Sequence, residues 1–230
     1  MDAIAEANKA RSARKVSGPS SRRVSCQATA GQLQDTVESP RVLNGSAYVF
    51  EARKASSLSA AQRNAVWDIF ADNMRQSYTA SSFGWDPPQK KREMFHIQAR
   101  FVLARPAESK DADVLAFSTF RFESEENVDG VEEPVLYCYE LQVSRRVKRS
   151  GLGTALMSDL ERLAARWGMR KVMLTCFLTN VEALAFYRRV GFVPREHFCF
   201  RATCSSAAQF HRGSHLSGPA DEFRVSFFGQ

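Results

Sequence analysis

The segment Tyr137-Cys-Tyr-Glu-Leu-Gln-Val143, running into Ser144-Arg-Arg-Val-Lys-Arg-Ser-Gly-Leu-Gly-Thr154, constrains this chain more than any other. It reads as a strand, a basic glycine-containing turn and the start of a helix. In such a turn successive backbone N–H groups converge on one point, and the helix dipole adds partial positive charge there. Gly151 and Gly153 remove side chains where a ligand must approach the main chain, and Arg145, Arg146, Lys148 and Arg149 add full positive charges. The expected ligand is a polyphosphate. A Walker loop is excluded, because no Gly-Lys-Ser/Thr follows the turn. A dinucleotide fold is disfavoured: the third fingerprint glycine is missing, and no acidic residue stands at a strand end about 20 residues on.

Upstream of this segment the pattern is antiparallel. Tyr48–Ala52 reads as a first strand, and Arg100–Ala104 and Val114–Phe122 as two more, joined by the polar stretch Glu108–Asp113. Ser59-Ala-Ala-Gln62 is a capping box that opens a helix with Val66, Ile69, Phe70 and Met74 inward. Asp86-Pro-Pro-Gln89 opens another, through about Ile97. Between these helices, Ser77–Trp85 is either a loop with buried rings or a substrate-contacting loop. Downstream, helix and strand alternate. A helix from about Gly151 to Trp167 is closed by Gly168, and Lys171–Leu178 is a buried strand. Thr179–Glu182 reads as a capping box opening a helix with Phe186 and Tyr187 inward, and Gly191 stops it. Phe192–Pro194 and Glu222–Phe228 are the last strands. The expectation is α+β with one mixed central sheet and flanking helices.

Within Val135–Val143, strict alternation puts Tyr137, Tyr139 and Leu141 on one face and Cys138, Glu140 and Gln142 on the other. A Glu in an otherwise apolar strand is either an edge residue in water or a buried carboxylate whose pKa tends to rise, which suits a general base. Just before this strand, Glu123, Glu125, Glu126, Asp129, Glu132 and Glu133 form an acidic block in a chain of formal charge +7. It is either a solvated loop or the wall of a cleft for a cationic substrate.

Residues 1–45, rich in Ser, Ala and Arg, read as a tail that is disordered or carries one loosely attached helix; 46–230 read as one domain. Arg22-Arg-Val-Ser-Cys26 is compatible with a transit peptide, a nuclear signal or a nucleic-acid contact, and Asp2 and Glu6 argue against the first. No apolar run long enough for a membrane helix occurs. The five cysteines are scattered without a C-x-x-C pair, so a reduced intracellular chain with no metal site is expected.

Together these motifs resemble the GNAT acetyltransferases. That family's pyrophosphate loop, Gln/Arg-x-x-Gly-x-Gly/Ala, is matched by Lys148-Arg-Ser-Gly-Leu-Gly153, with Lys in the first place. Asn180 after a strand and Ala185-Phe-Tyr-Arg-Arg-Val-Gly-Phe192 match a second family feature. The resemblance covers roughly residues 46–228. Within the family, Leu136-Tyr-Cys-Tyr-Glu140, Lys171-Val-Met-Leu-Thr175, Ala116–Phe122, and Gly84-Trp85 with Lys91–Met94 are similar to the branch that acetylates the N-terminal serine of histone H4 and histone 2A.

The resemblance implies roles. Leu141, Gln142, Val143, Arg149, Ser150, Gly151, Leu152, Gly153, Thr154 and Asn180 would hold acetyl-CoA, the co-substrate. Tyr78, Phe83, Glu123, Glu125, Tyr139 and Thr175 would bind the peptide, and Glu140 would be the general base. Phe83 stands where the branch has Trp, Phe223 where it has a peptide-binding Tyr, and Tyr187 where many relatives have a thiolate-protonating Tyr. Met1–Ile4 is similar to the branch's N-terminal helix.

The implied substrate is the Ser-Gly-Arg-Gly N-terminus of histone H4 and histone 2A, met by a monomer in cytoplasm and nucleus without direct nucleic-acid binding. Freeing an α-amine of its proton at pH 7 costs up to ~1.4 kcal/mol, against ~4.6 for a lysine, so one Glu working through water is adequate. Two other readings stay open: transfer to another amine (a lysine, a ribosomal N-terminus, a polyamine), or a non-catalytic acyl-CoA-binding module.

Overall fold

The computed structural model describes residues 28–109, 113–126, 130–195 and 224–229. In chain order they form α1 (Ala30–Gln34), β1 (Arg41–Leu43), β2 (Ser46–Lys54), α2 (Ala60–Thr79), α3 (Pro87–Met94), β3 (Arg100–Pro106), β4 (Ala116–Glu126), β5 (Glu132–Val143), α4 (Leu152–Arg166), β6 (Val172–Phe177), α5 (Val181–Arg189), β7 (Val193–Arg195) and β8 (Arg224–Gly229). The strands make one sheet in the order β1-β2-β3-β4-β5-β6-β8-β7. Every pairing is antiparallel except β5–β6. This is the expected α+β mixed sheet with helices on both faces.

Local signals set the helix starts. Ser59 Oγ accepts from Gln62 N–H at 3.1 Å, and Gln62 Oε1 accepts from Ser59 N–H at 3.0 Å, a reciprocal cap that opens α2. Asp86 Oδ1 accepts from Gln89 N–H at 2.9 Å, with proline in the first turn of α3. The α5 cap differs from expectation. Asn180, not Thr179, is the N-cap: its Oδ1 accepts from Ala183 N–H at 3.1 Å, and Glu182 turns outward to Lys148.

Side chains alternate across the sheet into two cores. Phe50, Val102, Phe120, Leu136 and Cys138 pack with Leu33 of α1, Leu156 and Leu160 of α4 and Tyr187 of α5. Phe101, Leu103 and Phe117 pack with Val66 and Phe70 of α2 and Met94 of α3.

The folded domain begins earlier than the expected boundary at 45–46. Ala28, Leu33 and Val37 are buried, and β1 is the edge strand. Arg41 is drawn in by a long-range pairing with Asp159 on α4, whose side chain is fully buried. The same guanidinium donates to Ala155 O at 3.2 Å and lies 4.1 Å over the Phe50 ring. The motifs at Met1–Ile4 and Arg22–Cys26, the cysteines Cys26, Cys199 and Cys204, and Phe223 lie outside the described residues.

The alternation expected for β5 breaks at one residue. Thr119 pairs with Glu140, but Phe120 pairs with Cys138, so Tyr139 has no opposite number and forms a bulge. Leu136 and Cys138 therefore face the α4 core, as do Leu141 and Val143 beyond the bulge. Glu140 falls on the other face, with Tyr137, Tyr139 and Gln142, toward α2 and α3. Just there β5 and β6 part: their parallel pairing covers only Leu136↔Val172, Tyr137↔Met173 and Cys138↔Leu174.

Candidate active site

A cleft of about 1450 Å³ opens where β5 and β6 separate. The residues expected to carry function, Phe223 apart, line it: Glu140; Leu141, Gln142 and Val143; Arg149 to Thr154; Asn180; and Tyr78, Phe83, Glu123, Glu125, Tyr139 and Thr175. The cleft exceeds the ~300–1,000 Å³ of small-molecule pockets and suits an elongated ligand meeting a second one.

The basic turn forms one end. Arg149 has φ 64° and Gly151 φ 91°, two left-handed residues around Ser150 that turn the main chain just before α4. Such a turn gathers N–H groups into an anion-binding concavity at a helix N-terminus. Asn44 Nδ2 donates to Arg149 O at 3.2 Å and braces the turn from the β1–β2 connection. Ser150 Oγ is buried with no hydrogen-bond partner among the described residues, and a Cβ on Gly153 would meet the Phe186 ring at 3.4 Å. A diphosphate fits these features. Lys148 pairs with Glu182 at 3.0 Å, but both side chains are more than half exposed, so a phosphate can compete for that ammonium.

At the floor, Glu140 is the buried alternative of the two readings, and it is paired. Its Oε1 lies 2.8 Å from Lys90 Nζ, with side chains 8% and 10% exposed. Its Oε2 accepts from Gln142 Nε2 at 2.9 Å. Lys90 also reaches Glu93 Oε1 at 2.8 Å and stands 5.4 Å and 5.3 Å from the ring centres of Phe70 and Tyr78. Burial pulls the Lys90 pKa down, but Glu140, then Tyr78 and Glu93, outweigh it and hold the ammonium well above the usual lysine range. Gln142 Oε1 accepts from Asn73 Nδ2 at 3.0 Å, and Asn73 Oδ1 accepts from Arg145 at 3.4 Å. A chain of polar contacts thus joins the basic turn to the carboxylate. Neither Lys90 nor Asn73 was expected from the sequence.

Under the gap lie Cys138, Cys176 and Tyr187. Burial, reinforced by Glu140, pushes the Cys138 thiol up and the Cys176 thiol up to about 12. Burial also pushes the Tyr187 phenol well up, ahead of the effect of both thiols and Glu140. All three are protonated at neutral pH. The hydroxyls of Tyr137 and Thr175 hydrogen-bond across the gap.

The far wall is acidic and aromatic. Glu123 Oε1 accepts from the Tyr139 hydroxyl at 3.4 Å, and the Arg121 guanidinium lies 4.3 Å over the Tyr139 ring. Opposite, Tyr78 and Phe83 meet Phe177 edge-on at 5.3 Å and 6.2 Å. Both readings of Ser77–Trp85 hold for different rings: Trp85 packs on Phe70 and Trp67, while Tyr78 and Phe83 line the cleft.

Residues 66–192, more than half of the chain, match the model of the acetyltransferase (GNAT) family. Among solved structures, the chain is similar to the NatC complex bound to Gag peptide and CoA. That alignment has 13% identity and a TM-score of 0.51, and it covers 79% of this chain and 96% of that one. The chain is also similar to the glucosamine N-acetyltransferase region of a fungal multi-domain β-N-acetylglucosaminidase, at 12% identity and a TM-score of 0.52, covering 66% of this chain and 18% of that one. The BH1408 protein of Bacillus halodurans aligns at 11% identity and a TM-score of 0.48, covering 66% of this chain and 97% of that one. At these identities the likeness is one of fold.

Proposed function

The chain belongs to the GNAT family of acetyl-CoA-dependent acetyltransferases, and from that premise we propose that it acetylates the N-terminal α-amine of a Ser-starting basic peptide, with the N-termini of histone H4 and histone 2A as substrates. The observation that carries this reading is the single cleft that holds a buried carboxylate, Glu140, between an anion-binding turn and an acidic wall.

Acetyl-CoA supplies the acyl group. Arg149–Thr154 hold its diphosphate, with Leu141–Val143 and Asn180 beside it; the Asn180 side-chain oxygen is already engaged as a helix cap. The gap between β5 and β6 would take the thioester. Glu140 would take one proton from the ammonium through water, the neutral amine would attack the thioester carbonyl, and as the C–S bond breaks the second proton lost by the new amide nitrogen would neutralise the departing CoA thiolate. A carboxylate held by two donors keeps lone pairs free for that water. The α-amine is the least costly amine to deprotonate near neutral pH.

The acidic wall supports a cationic third residue. Glu123 and Glu125 line the cleft, and carboxylates there attract a substrate arginine. With histone tails as substrate, the enzyme works in cytoplasm and nucleus.

A thiol-release assay with acetyl-CoA and Ser-Gly-Arg-Gly peptide, beside its N-terminally blocked form, tests the proposal. Acetylation of the free peptide alone is expected. Turnover of the blocked peptide would move the reading to a lysine or another amine, and tight CoA binding with no turnover would make the chain a binding module.

A further inference from the structure

Lys90 has a placement that surface charge does not explain. It lies on α3 in a run of charged residues, yet its ammonium is turned inward, 10% exposed, onto the carboxylate at the cleft floor. The groups around the pair come from every neighbouring element. Glu93 comes from α3, Tyr78 from α2, and Gln142, Cys138, Tyr137 and Tyr139 from β5. Arg121 and Glu123 come from β4, Cys176 from β6 and Tyr187 from α5. Arg121 is committed elsewhere, to Glu93 O and the Tyr139 ring. Gln142 is neutral, and the thiols and Tyr187 are protonated. Among the described residues Lys90 is therefore the positive charge in direct contact with Glu140.

From this geometry we infer that Lys90 is a positioning residue for the acetyl transfer, a fixed counter-charge that holds the Glu140 carboxylate and aims it into the gap. The inference rests on Glu140 serving as the base. Lys90 touches neither the amine nor the thioester in this scheme and acts through Glu140. It does not relay the proton, because the two carboxylates and the aromatic rings around it hold it charged.

The consequence is kinetic. At pH 7 about one α-amine in ten is uncharged, against about one lysine amine in 2,500. If the base is already ionised, the amine alone limits the rate as pH falls. If Lys90 is removed, burial without a counter-ion raises the pH at which Glu140 gains its proton. Base and amine then both limit the rate.

The test compares wild type with Lys90→Met and Lys90→Arg. For wild type, log(kcat/KM) for the peptide should rise with a slope of about one on the acid side. For Lys90→Met the slope should approach about two, with kcat at neutral pH down at least ~10-fold and the Kd for CoA within ~2-fold. Lys90→Arg should keep the slope near one. A parallel drop of the whole profile in Lys90→Met, without change of slope, would overturn the inference, because a merely structural role predicts that outcome.

A second arm needs no turnover. In protein with 13C-labelled Glu carboxyls, assigned by Glu140→Gln, the Glu140 signal should titrate at higher pH in Lys90→Met than in wild type or Lys90→Arg. Identical titrations would overturn the inference. If wild type fails to acetylate the peptide, the proposed function falls, and this arm still decides the part played by Lys90. Should the Met variant not fold, Lys90→Gln takes its place: a slope near two supports the inference, and a slope near one overturns it.

Discussion

Lys90 Nζ and Glu140 Oε1 stand 2.8 Å apart with about nine-tenths of both side chains out of water, and they reach that contact from a surface helix and a central strand. Burying an ion pair is costly unless the geometry is good and the remaining valences are met. Here Gln142 meets one of them and Glu93 another.

Glu140→Gln should lower kcat by ~100-fold or more, since general-base catalysis contributes on that scale. The Kd for acetyl-CoA should stay within ~2-fold, as the anion turn is untouched. An amide offers one oxygen to the two donors Lys90 and Gln142, so stability should fall by ~1–2 kcal/mol in urea titrations. An unchanged rate at every pH would remove Glu140 as the base.

Neutralising the acidic wall with Glu123→Gln and Glu125→Gln should raise KM for an Arg-containing peptide by ~10-fold, with kcat within ~2-fold, and flatten the dependence of KM on salt. A kcat loss at saturating peptide would place these residues in the chemistry instead of in substrate attraction.

Arg41→Ala should cost ~3 kcal/mol, because it strips a fully buried Asp159 of one cation and leaves Arg162 as the other. Equilibrium urea unfolding measures this. A loss near zero would mean that residues 28–45 are dispensable to the fold.

Cys138 and Cys176 should resist iodoacetamide at pH 8 and react once the chain is unfolded, as peptide mapping by mass spectrometry can show. Buried thiols held as the neutral acid are poor nucleophiles. The stability linkage has a definite sign. Both pKa values are raised in the folded chain, so the contribution is intact below the ordinary thiol value of ~8.5 and is lost as pH climbs toward about 12. The urea midpoint should therefore fall across that alkaline range, and a flat profile would show that these thiols are not buried in solution.

What was legible in the sequence was local. The caps at Ser59 and Asp86, the glycine turn at 149–153 and the apolar runs of β3 to β6 each carry their cause within a few residues. Lys90 was not legible: Gln89-Lys-Lys-Arg92 reads as a solvated helix face, and only tertiary packing chooses which lysine turns in. Arg41 was missed because its partner lies far along the chain, so a short edge strand looked like tail. The capping box at Thr179–Glu182 failed for a local reason, since Asn180 is the stronger cap one residue on. The strand alternation placed Glu140 with Cys138 because period-two counting has no way to register an unpaired residue.

That unpaired residue, Tyr139, makes the location of the base a matter of parity. Inserting one residue in β4 opposite Tyr139 would give it a partner and restore strict alternation, and the glutamate would then emerge among Leu136, Leu156 and Tyr187, on the oily side of the sheet, without any change to its own identity. Substitutions along this strand can be absorbed singly, whereas a shift of one position in the pairing moves the reactive group to the wrong side of a wall. The catalytic layout is thus protected less by the chemistry of any one side chain than by the one-residue mismatch between the two strands.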